Sequence, residues 1–436
     1  MSTYSTALRG KEVRARAVRL SPAVNRIVDG IIASEPYWVI PLLPVIFVQT
    51  PCSWLALSCA ILPWPLRFLR HGYLTRHSTF DPAIVCLLLG IALGSLVAPD
   101  HRLGIEALES YLAGVIAYYL FVNHPGHVKL YVVCLFLGAI GGILWVFSQG
   151  SVGLNKTTSF NHWAYDLATP LPKLTNQPAY PNGLAGLLVV ASPMAWGLAC
   201  YTSSKQQRWA AGSLAAFLSL AILLSGSRGG IIGLTLALIF VCSWRTRWSL
   251  LLLPPLTCVV IAISLGGLPA LDRLWDNPWA STAGGRLVIW ESTLQTLPGR
   301  LVTGLGPGGS ALVYPRYAPP WLSDFATNPH NAFLQLWSDA GVLGALAGLY
   351  ALVAGLRLAL LVRRLPRENT RFGLAIGLLG AVVGAAVHGT FESAISAVVT
   401  DPSGTYHYIV SPLPWYVAGL LWIVLSPLPR RAASDS

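Results

Sequence analysis

Charge is what this chain has least of. Asp, Glu, Lys and Arg make up only 11% of its 436 residues, where a soluble domain carries roughly a quarter. That scarcity excludes a soluble globular protein of this length. The signatures of metal-dependent catalysis are missing as well: there is no Asp-X-Asp and no His-Glu-X-X-His. Gly-X-Ser-X-Gly is absent. The seven cysteines (Cys52, Cys59, Cys86, Cys134, Cys200, Cys242 and Cys258) lie in or beside apolar stretches without a CxxC pair. They predict neither disulfides nor a metal site, and no cofactor is expected. No internal repeat, low-complexity tract, cleavable signal peptide or separate soluble domain is evident.

Apolar length is what the chain has in abundance. Hydrophobic residues reach 54% and the mean hydropathy is +0.60. Runs near 20 residues, enough to cross about 30 Å of hydrocarbon as helix, recur throughout. The expected fold is all-α: one polytopic membrane domain over residues 1–436 with about twelve spans. These are 36–50, 52–69, 81–98, 104–122, 128–148, 183–201, 209–225, 229–243, 248–266, 340–362, 372–390 and 411–427. Residues 1–35 read as a basic N-terminus ending in a helix from Ser21-Pro22 that lies on the inner membrane surface.

Lysines and arginines set the orientation. With a cytoplasmic N-terminus, 21 of the 29 basic residues fall in cytoplasmic segments. Eight stay outside: Arg102, Lys156, Lys173, Arg228, Arg273, Arg286, Arg300 and Arg316. Both termini are then inside, and the net charge of +12 follows from topology without calling for nucleic acid. Two external loops are long, 150–182 and 267–331. The second holds Trp275, Trp279, Trp290 and Trp321 and reads as folded, since loops of this length carry function or are disordered. Within it, Leu287, Trp290, Leu294 and Leu297 share one face of a helix that Pro298-Gly299 ends. The turn-rich Gly304-Leu-Gly-Pro-Gly-Gly309 follows, and it lacks the Gly-Lys-Ser/Thr ending of a nucleotide loop.

Three positions carry chemistry on the external side. In Asn328-Pro329-His330-Asn331, asparagine is a favoured N-cap and proline a favoured first helical residue. His330 then falls in the first helical turn, where the dipole disfavours an imidazolium and leaves a neutral ring able to serve as a general base. Asn331, Gln335 and Ser338 make a polar stripe on that helix. Arg228 sits in Ser225-Gly-Ser-Arg-Gly229-Gly230, where an arginine at membrane depth points to function and glycines let a large anion approach. Arg286 opens the loop helix after Gly284-Gly285, and a guanidinium suits bidentate contact with phosphate oxygens. Plainer readings stand beside each: an interfacial histidine, a snorkelling arginine, and an ion pair of Arg286 with Glu291 or Asp276. Tyr180-Pro-Asn182-Gly reads as a turn and helix start, with Asn182 as a possible cavity residue. Asp324, Glu291, His162, Glu392, His388 and Asp401 receive no role from spacing alone.

Ser227-Arg228-Gly, Arg286-Leu-Val-Ile-Trp290, Gly304-Leu-Gly-Pro-Gly, and His330-Asn331-Ala-Phe-Leu-Gln followed by Gly341-Val-Leu-Gly occur in that order. With Pro181-Asn182-Gly-Leu-Ala upstream, this pattern resembles the O-antigen ligase and polymerase superfamily over roughly 181–361. The resemblance implies a metal-independent, inverting glycosyltransferase at the periplasmic face of the bacterial inner membrane. Its donor would be a glycan on undecaprenyl pyrophosphate and its acceptor a sugar hydroxyl of lipid A–core. His330 would activate the acceptor, and Arg228 and Arg286 would bind the pyrophosphate, with Asn331, Asn182, Trp290 and Gly229 as further substrate contacts. A repeat-unit polymerase, whose acceptor is a second lipid-linked glycan, is the sibling alternative. A transporter or flippase of a lipid-linked anion is the alternative of another class, and would place charges near mid-bilayer in broken helices. The short C-terminal end, Arg430 to Ser436, favours a ligase over relatives that glycosylate proteins.

Overall fold

The computed structural model describes residues 21–148, 181–225, 227–245, 282–313, 316, 328–367, 369–393, 395–400 and 405–426. It is an all-α polytopic membrane bundle with one small β-hairpin. The helices are α1 (Pro22–Phe47), α2 (Ser53–Ile61), α3 (Pro63–His71), α4 (Asp81–Val97), α5 (His101–Asn123), α6 (Val128–Ser148) and α7 (Pro181–Tyr201). They continue as α8 (Lys205–Ser225), α9 (Arg228–Ser243), α10 (Thr282–Thr296), α11 (Gly309–Val313), α12 (Ala332–Leu361), α13 (Thr370–Phe391) and α14 (Leu413–Leu425). Strands β1 (Ser396–Thr400) and β2 (Tyr406–Val410) pair antiparallel between α13 and α14. Among the described residues, seven helices are long and apolar enough to cross a membrane, and α4, α9 and α14 are shorter apolar helices. The expected span 248–266 lies outside the described residues.

Two expected boundaries are corrected. The surface helix from Ser21 and the span 36–50 are one continuous helix, α1, which runs through Pro36, Pro41 and Pro44. Ser21 caps it by accepting the Val24 N–H, and proline in a membrane helix is tolerated where neighbours re-satisfy the backbone. The span 52–69 is instead two short helices, divided where Pro63 has no N–H to continue the ladder of α2.

Small residues bring the central helices together. A Cβ on Gly377 of α13 would sit 2.6 Å from the Met194 Cα of α7, and one on Gly233 of α9 would sit 2.7 Å from the Gly384 carbonyl of α13. Such close backbone approach is how membrane helices gain contact without a hydrophobic driving force.

α12 is kinked at Gly341, whose φ of +60° favours glycine. The kink is filled by the chain after α10: the Leu301 carbonyl accepts the Val342 N–H at 3.0 Å, and the Ser338 carbonyl accepts the Leu305 N–H at 2.6 Å. The glycine-rich segment 304–309 is therefore a buried wedge, with positive φ at Gly304, Gly306 and Gly308. Beside it lies Asp339, fully buried. Its Oδ2 accepts from Gln335 Nε2 (2.7 Å), Tyr408 Oη (2.5 Å) and Ser396 Oγ (3.2 Å), which ties α12 to the hairpin. The expected polar stripe of Gln335 and Ser338 thus turns into the protein interior; both are fully buried.

At the other end of the bundle, Glu35 of α1 is buried against Arg67 of α3 and His124 beyond α5. Arg245 Nη1 donates to the Cys200 carbonyl, and Arg371 Nε to the Val424 carbonyl, at that same end.

A Gly341→Ala substitution tests the wedge, because a Cβ there would run into the Val302 carbonyl at a positive φ. We expect a loss of ~1–3 kcal/mol, read as a lowered melting temperature of the detergent-solubilised protein. An unchanged melting curve would show that the kink relaxes without cost.

Candidate active site

Helix ends converge at one end of the bundle, and each supplies one polar side chain. Asn182 is in the first turn of α7, Arg228 opens α9, Arg286 is on α10, His330 immediately precedes α12, and Glu392 immediately follows α13. α9 starts where it does because Ser227 Oγ accepts the Gly230 N–H at 3.3 Å. This cap sets Arg228 as the first helical residue.

The start of α12 corrects the expected N-cap. Asn331, not Asn328, caps the helix: its Oδ1 accepts the N–H groups of Phe333 (3.0 Å) and Leu334 (3.1 Å). Asn328 is engaged elsewhere, with its Oδ1 accepting the Val398 N–H of β1 at 2.9 Å. His330 consequently lies outside the helix, in the left-handed region at φ +49°, and the dipole argument for a neutral ring no longer applies. Asn331 is spent on the cap and on the Thr390 carbonyl, 3.4 Å from its Nδ2, so its side chain serves the fold.

The centre of the site is Glu392, which spacing alone left without a role. Its Oε1 lies 2.8 Å from His330 Nδ1 and 3.3 Å from the Ser393 N–H. Its Oε2 accepts from Asn182 Nδ2 at 2.8 Å and lies 3.9 Å from Arg286 Nη2. Burial works against the charged carboxyl, but the hydrogen bond from His330 and the charges of His330, Arg286 and His388 hold it below its ordinary value. An ionised carboxylate only accepts, so Nδ1 of His330 carries a proton and Nε2 is the ring's basic position.

Arg286 pairs with Glu392 rather than with Glu291; Glu291 faces Gln295 Nε2 at 3.5 Å. The other expected partner, Asp276, lies outside the described residues. The guanidinium also stands 5.9 Å from the centre of the Phe391 ring, within cation–π range. Burial pulls Arg286 below its ordinary value, Glu392 opposes this, and the nearby Arg228 charge adds to the lowering. Arg228, the first residue of α9, is exposed, and its charge reaches Arg286, so two guanidinium groups share one electrostatic neighbourhood.

The remaining candidates divide. Gly229 faces inward, where a Cβ would lie 3.2 Å from His388 Nδ1 and 3.5 Å from the Phe391 Cβ. Its missing side chain makes room for α13, not for the approach of an anion. His388 is buried there, its Nε2 3.2 Å from the Asn182 carbonyl. Trp290 is one helical turn beyond Arg286, and its buried indole N–H has no partner among the described residues. On α10 the buried positions are Ile289, Ser292, Thr293 and Thr296, while Leu287 and Leu294 are 52% and 48% exposed. The face predicted for this helix is therefore divided: Leu287 and Leu294 point outward, whereas Leu297 is buried and the Trp290 indole nitrogen is covered. His162, Asp324 and Asp401 lie outside the described residues.

His330, Asn182, His388 and Glu392 line one end of a cavity of about 1450 Å³. The cavity wall follows α12 from Phe333 to Ala359, on the order of 40 Å at 1.5 Å per residue. Beyond the polar end the wall is apolar, including Ala351, Leu356, Val382, Trp415 and Leu421. A polar end thus opens into an apolar cavity at least as long as a bilayer core is thick.

The ion cluster makes stability depend on pH. A carboxyl depressed in the folded state stabilises above its unfolded value, about 4.3, and that contribution is lost as pH falls through the folded value. We expect the melting-temperature gap between the unaltered protein and Glu392→Gln to be constant from about pH 8 to 6 and to shrink below about pH 4. A gap independent of pH would show that Glu392 is not held ionised.

Among curated proteins none matches the chain. A family model described as O-antigen ligase matches residues 213–349. This stretch runs from α8 to the middle of α12 and includes Arg228, Arg286 and His330, but neither Asn182 nor Glu392. In its all-α polytopic fold and in the ordered motifs of this segment, the chain resembles the O-antigen ligase superfamily.

Proposed function

We propose that this protein is a glycosyltransferase of the ligase type. It moves a glycan from undecaprenyl pyrophosphate to a sugar hydroxyl of lipid A–core. The observation that carries this reading is the Glu392 carboxylate joining His330 on one oxygen to Asn182 and Arg286 on the other. A proton acceptor and a phosphate-binding cation are thereby held on one ion.

In the reaction, His330 Nε2 takes the proton of the acceptor hydroxyl. The resulting oxygen attacks the anomeric carbon of the donor from the side away from the pyrophosphate. As the new C–O bond forms, the bond to the pyrophosphate oxygen breaks and the anomeric configuration inverts. Arg286 and Arg228 neutralise the charge that gathers on the departing pyrophosphate, the electrostatic assistance expected of preorganised cations. Glu392 keeps the Nδ1 proton in place and stabilises the imidazolium as it forms, as the carboxylate of a catalytic triad does. Pyrophosphate is a competent leaving group, so neither a covalent intermediate nor a metal is required. The apolar channel suits the polyprenyl tail of the donor.

The reading includes orientation. The end remote from the site carries Arg67, Arg70, Lys129, Arg208, Arg245, Arg364 and Arg371, which supports a cytoplasmic face there. The active site then faces the periplasm across the inner membrane, with both termini inside.

Purified protein given lipid-pyrophosphate donor and core lipopolysaccharide is expected to yield the joined product. His330→Ala should abolish transfer, and Arg286→Ala and Arg228→Ala should each lower it by about 10²–10³-fold, the cost of losing a transition-state charge partner. Arg286→Lys is expected to recover little, because a point charge replaces a bidentate fork. Full activity of His330→Ala, or inhibition by EDTA, would remove this mechanism. A product grown only on a second donor molecule would assign the protein as a polymerase.

A further inference from the structure

The cavity holds a second imidazole–carboxylate pair that the transfer mechanism does not use. His407 of β2 lines the same cavity as His330, and its Nδ1 lies 3.3 Å from Glu106 Oε1 of α5. Glu106 Oε2 accepts the Tyr408 N–H at 2.8 Å, so the carboxylate is anchored to the strand that carries the histidine. Gln49, between α1 and α2, completes the group and lines the cavity too. Its Nε2 donates toward the Glu106 carbonyl (3.2 Å), Ser110 Oγ (3.0 Å) and the Tyr408 carbonyl (2.5 Å). Its Oε1 is buried without a partner.

An amide whose nitrogen is saturated and whose oxygen is left without a donor calls for an explanation. Gln49 is also held at φ +55°, a conformation that costs a residue other than glycine or asparagine. Both observations fit a side chain fixed in advance to accept a hydrogen bond from something that enters the cavity. Beside it, the His407 side chain is 35% exposed and its carboxylate partner 16%. The group therefore offers an acceptor oxygen and an imidazole, but no cation aimed into the cavity. That chemistry suits hydroxyl groups and does not suit phosphate.

Position adds the direction. Arg286 and Asn182 approach Glu392 on Oε2, and His330 approaches on Oε1. From His330 the cavity wall continues through Asn328, which binds the Val398 N–H of β1. It then crosses the hairpin, where Val399 pairs with His407. His330 and Arg286 thus take different oxygens of Glu392, and His330 shares the cavity with the second pair while Arg286 does not line it. In an inverting displacement the nucleophile enters on the face away from the leaving group, so a hydroxyl-bearing acceptor belongs on the His407 side.

We propose that Gln49 and His407, held by Glu106, form the acceptor subsite, which recognises hydroxyl groups of the glycan that receives the transferred chain. The proposal rests on the glycosyltransferase reading above and adds a specificity site to it.

The test measures two things on the full-length protein in detergent. In transfer kinetics, His407→Ala and Gln49→Leu are expected to raise the KM for core lipopolysaccharide by about tenfold, the equivalent of one lost hydrogen bond of ~1.4 kcal/mol. The KM for the donor and the rate at saturating acceptor should stay within about twofold. His407→Gln, which keeps a polar side chain there, is expected to restore part of the acceptor affinity. In equilibrium binding without donor, core lipopolysaccharide should bind His407→Ala about tenfold more weakly than the unaltered protein. An unchanged acceptor KM together with unchanged binding would overturn the subsite. A donor KM that rises in step with the acceptor KM would also overturn it, by showing a general disturbance. If the unaltered protein transfers nothing yet loses acceptor binding on His407→Ala, the glycosyltransferase reading fails while the subsite stands.

Discussion

One carboxylate organises the candidate site of this protein. Glu392 is mostly removed from solvent, and burying such an ion is costly unless it is paired and hydrogen-bonded. Here a histidine, an amide, an arginine and a backbone N–H share the task. Because those partners come from α7, α10, the segment before α12 and the residue after Glu392 itself, the ion fixes elements distant in sequence. The same interaction sets the chemistry of His330. A carboxylate on Nδ1 leaves Nε2 as the basic position, and an imidazolium formed during a reaction meets its counter-ion at once.

The carboxylate is in turn located by the backbone around it. α13 delivers Glu392 at its end because Gly377 and Gly384 allow it to lie against α7 and α9. α12 delivers His330 at a height set by the kink at Gly341 and by the wedge that fills it. Asp339 locks α12 to Ser396 and Tyr408, so the hairpin that follows Glu392 is tethered to the helix that follows His330. These contacts are small or polar rather than large and apolar. That is the expected pattern where lipid removes the hydrophobic advantage of burying leucine.

The cavity runs from the candidate site into the apolar interior of the bundle. Its polar end, with Asn182, His330, His388 and Glu392, opens into a long apolar stretch, the shape that the proposed lipid-linked donor calls for. The outward leucines of α10 extend the apolar surface around the site. A transporter would place charge along the middle of the route, whereas Asn182, Arg228, His330 and Glu392 of the candidate site lie at helix ends.

Much of this was legible in the residues alone. Low charge and recurring apolar runs determined an all-α polytopic protein, since only helices of that length satisfy the backbone in hydrocarbon. The His330, Arg228 and Arg286 motifs stood out because histidine and arginine outside the cytoplasmic segments have no topological reason to be there. Tertiary structure decided the rest. Spacing could not select Glu392 among the external acids, because its partners lie 62 and 210 positions away. It could not show that Asn328 is bound to β1, which shifts the cap to Asn331 and takes His330 out of the helix. Nor could it bring His407 and Gln49 to one cavity from opposite ends of the chain. Local patterning reports which residues tolerate lipid or cap a helix, whereas pairing across helices depends on where the bundle closes.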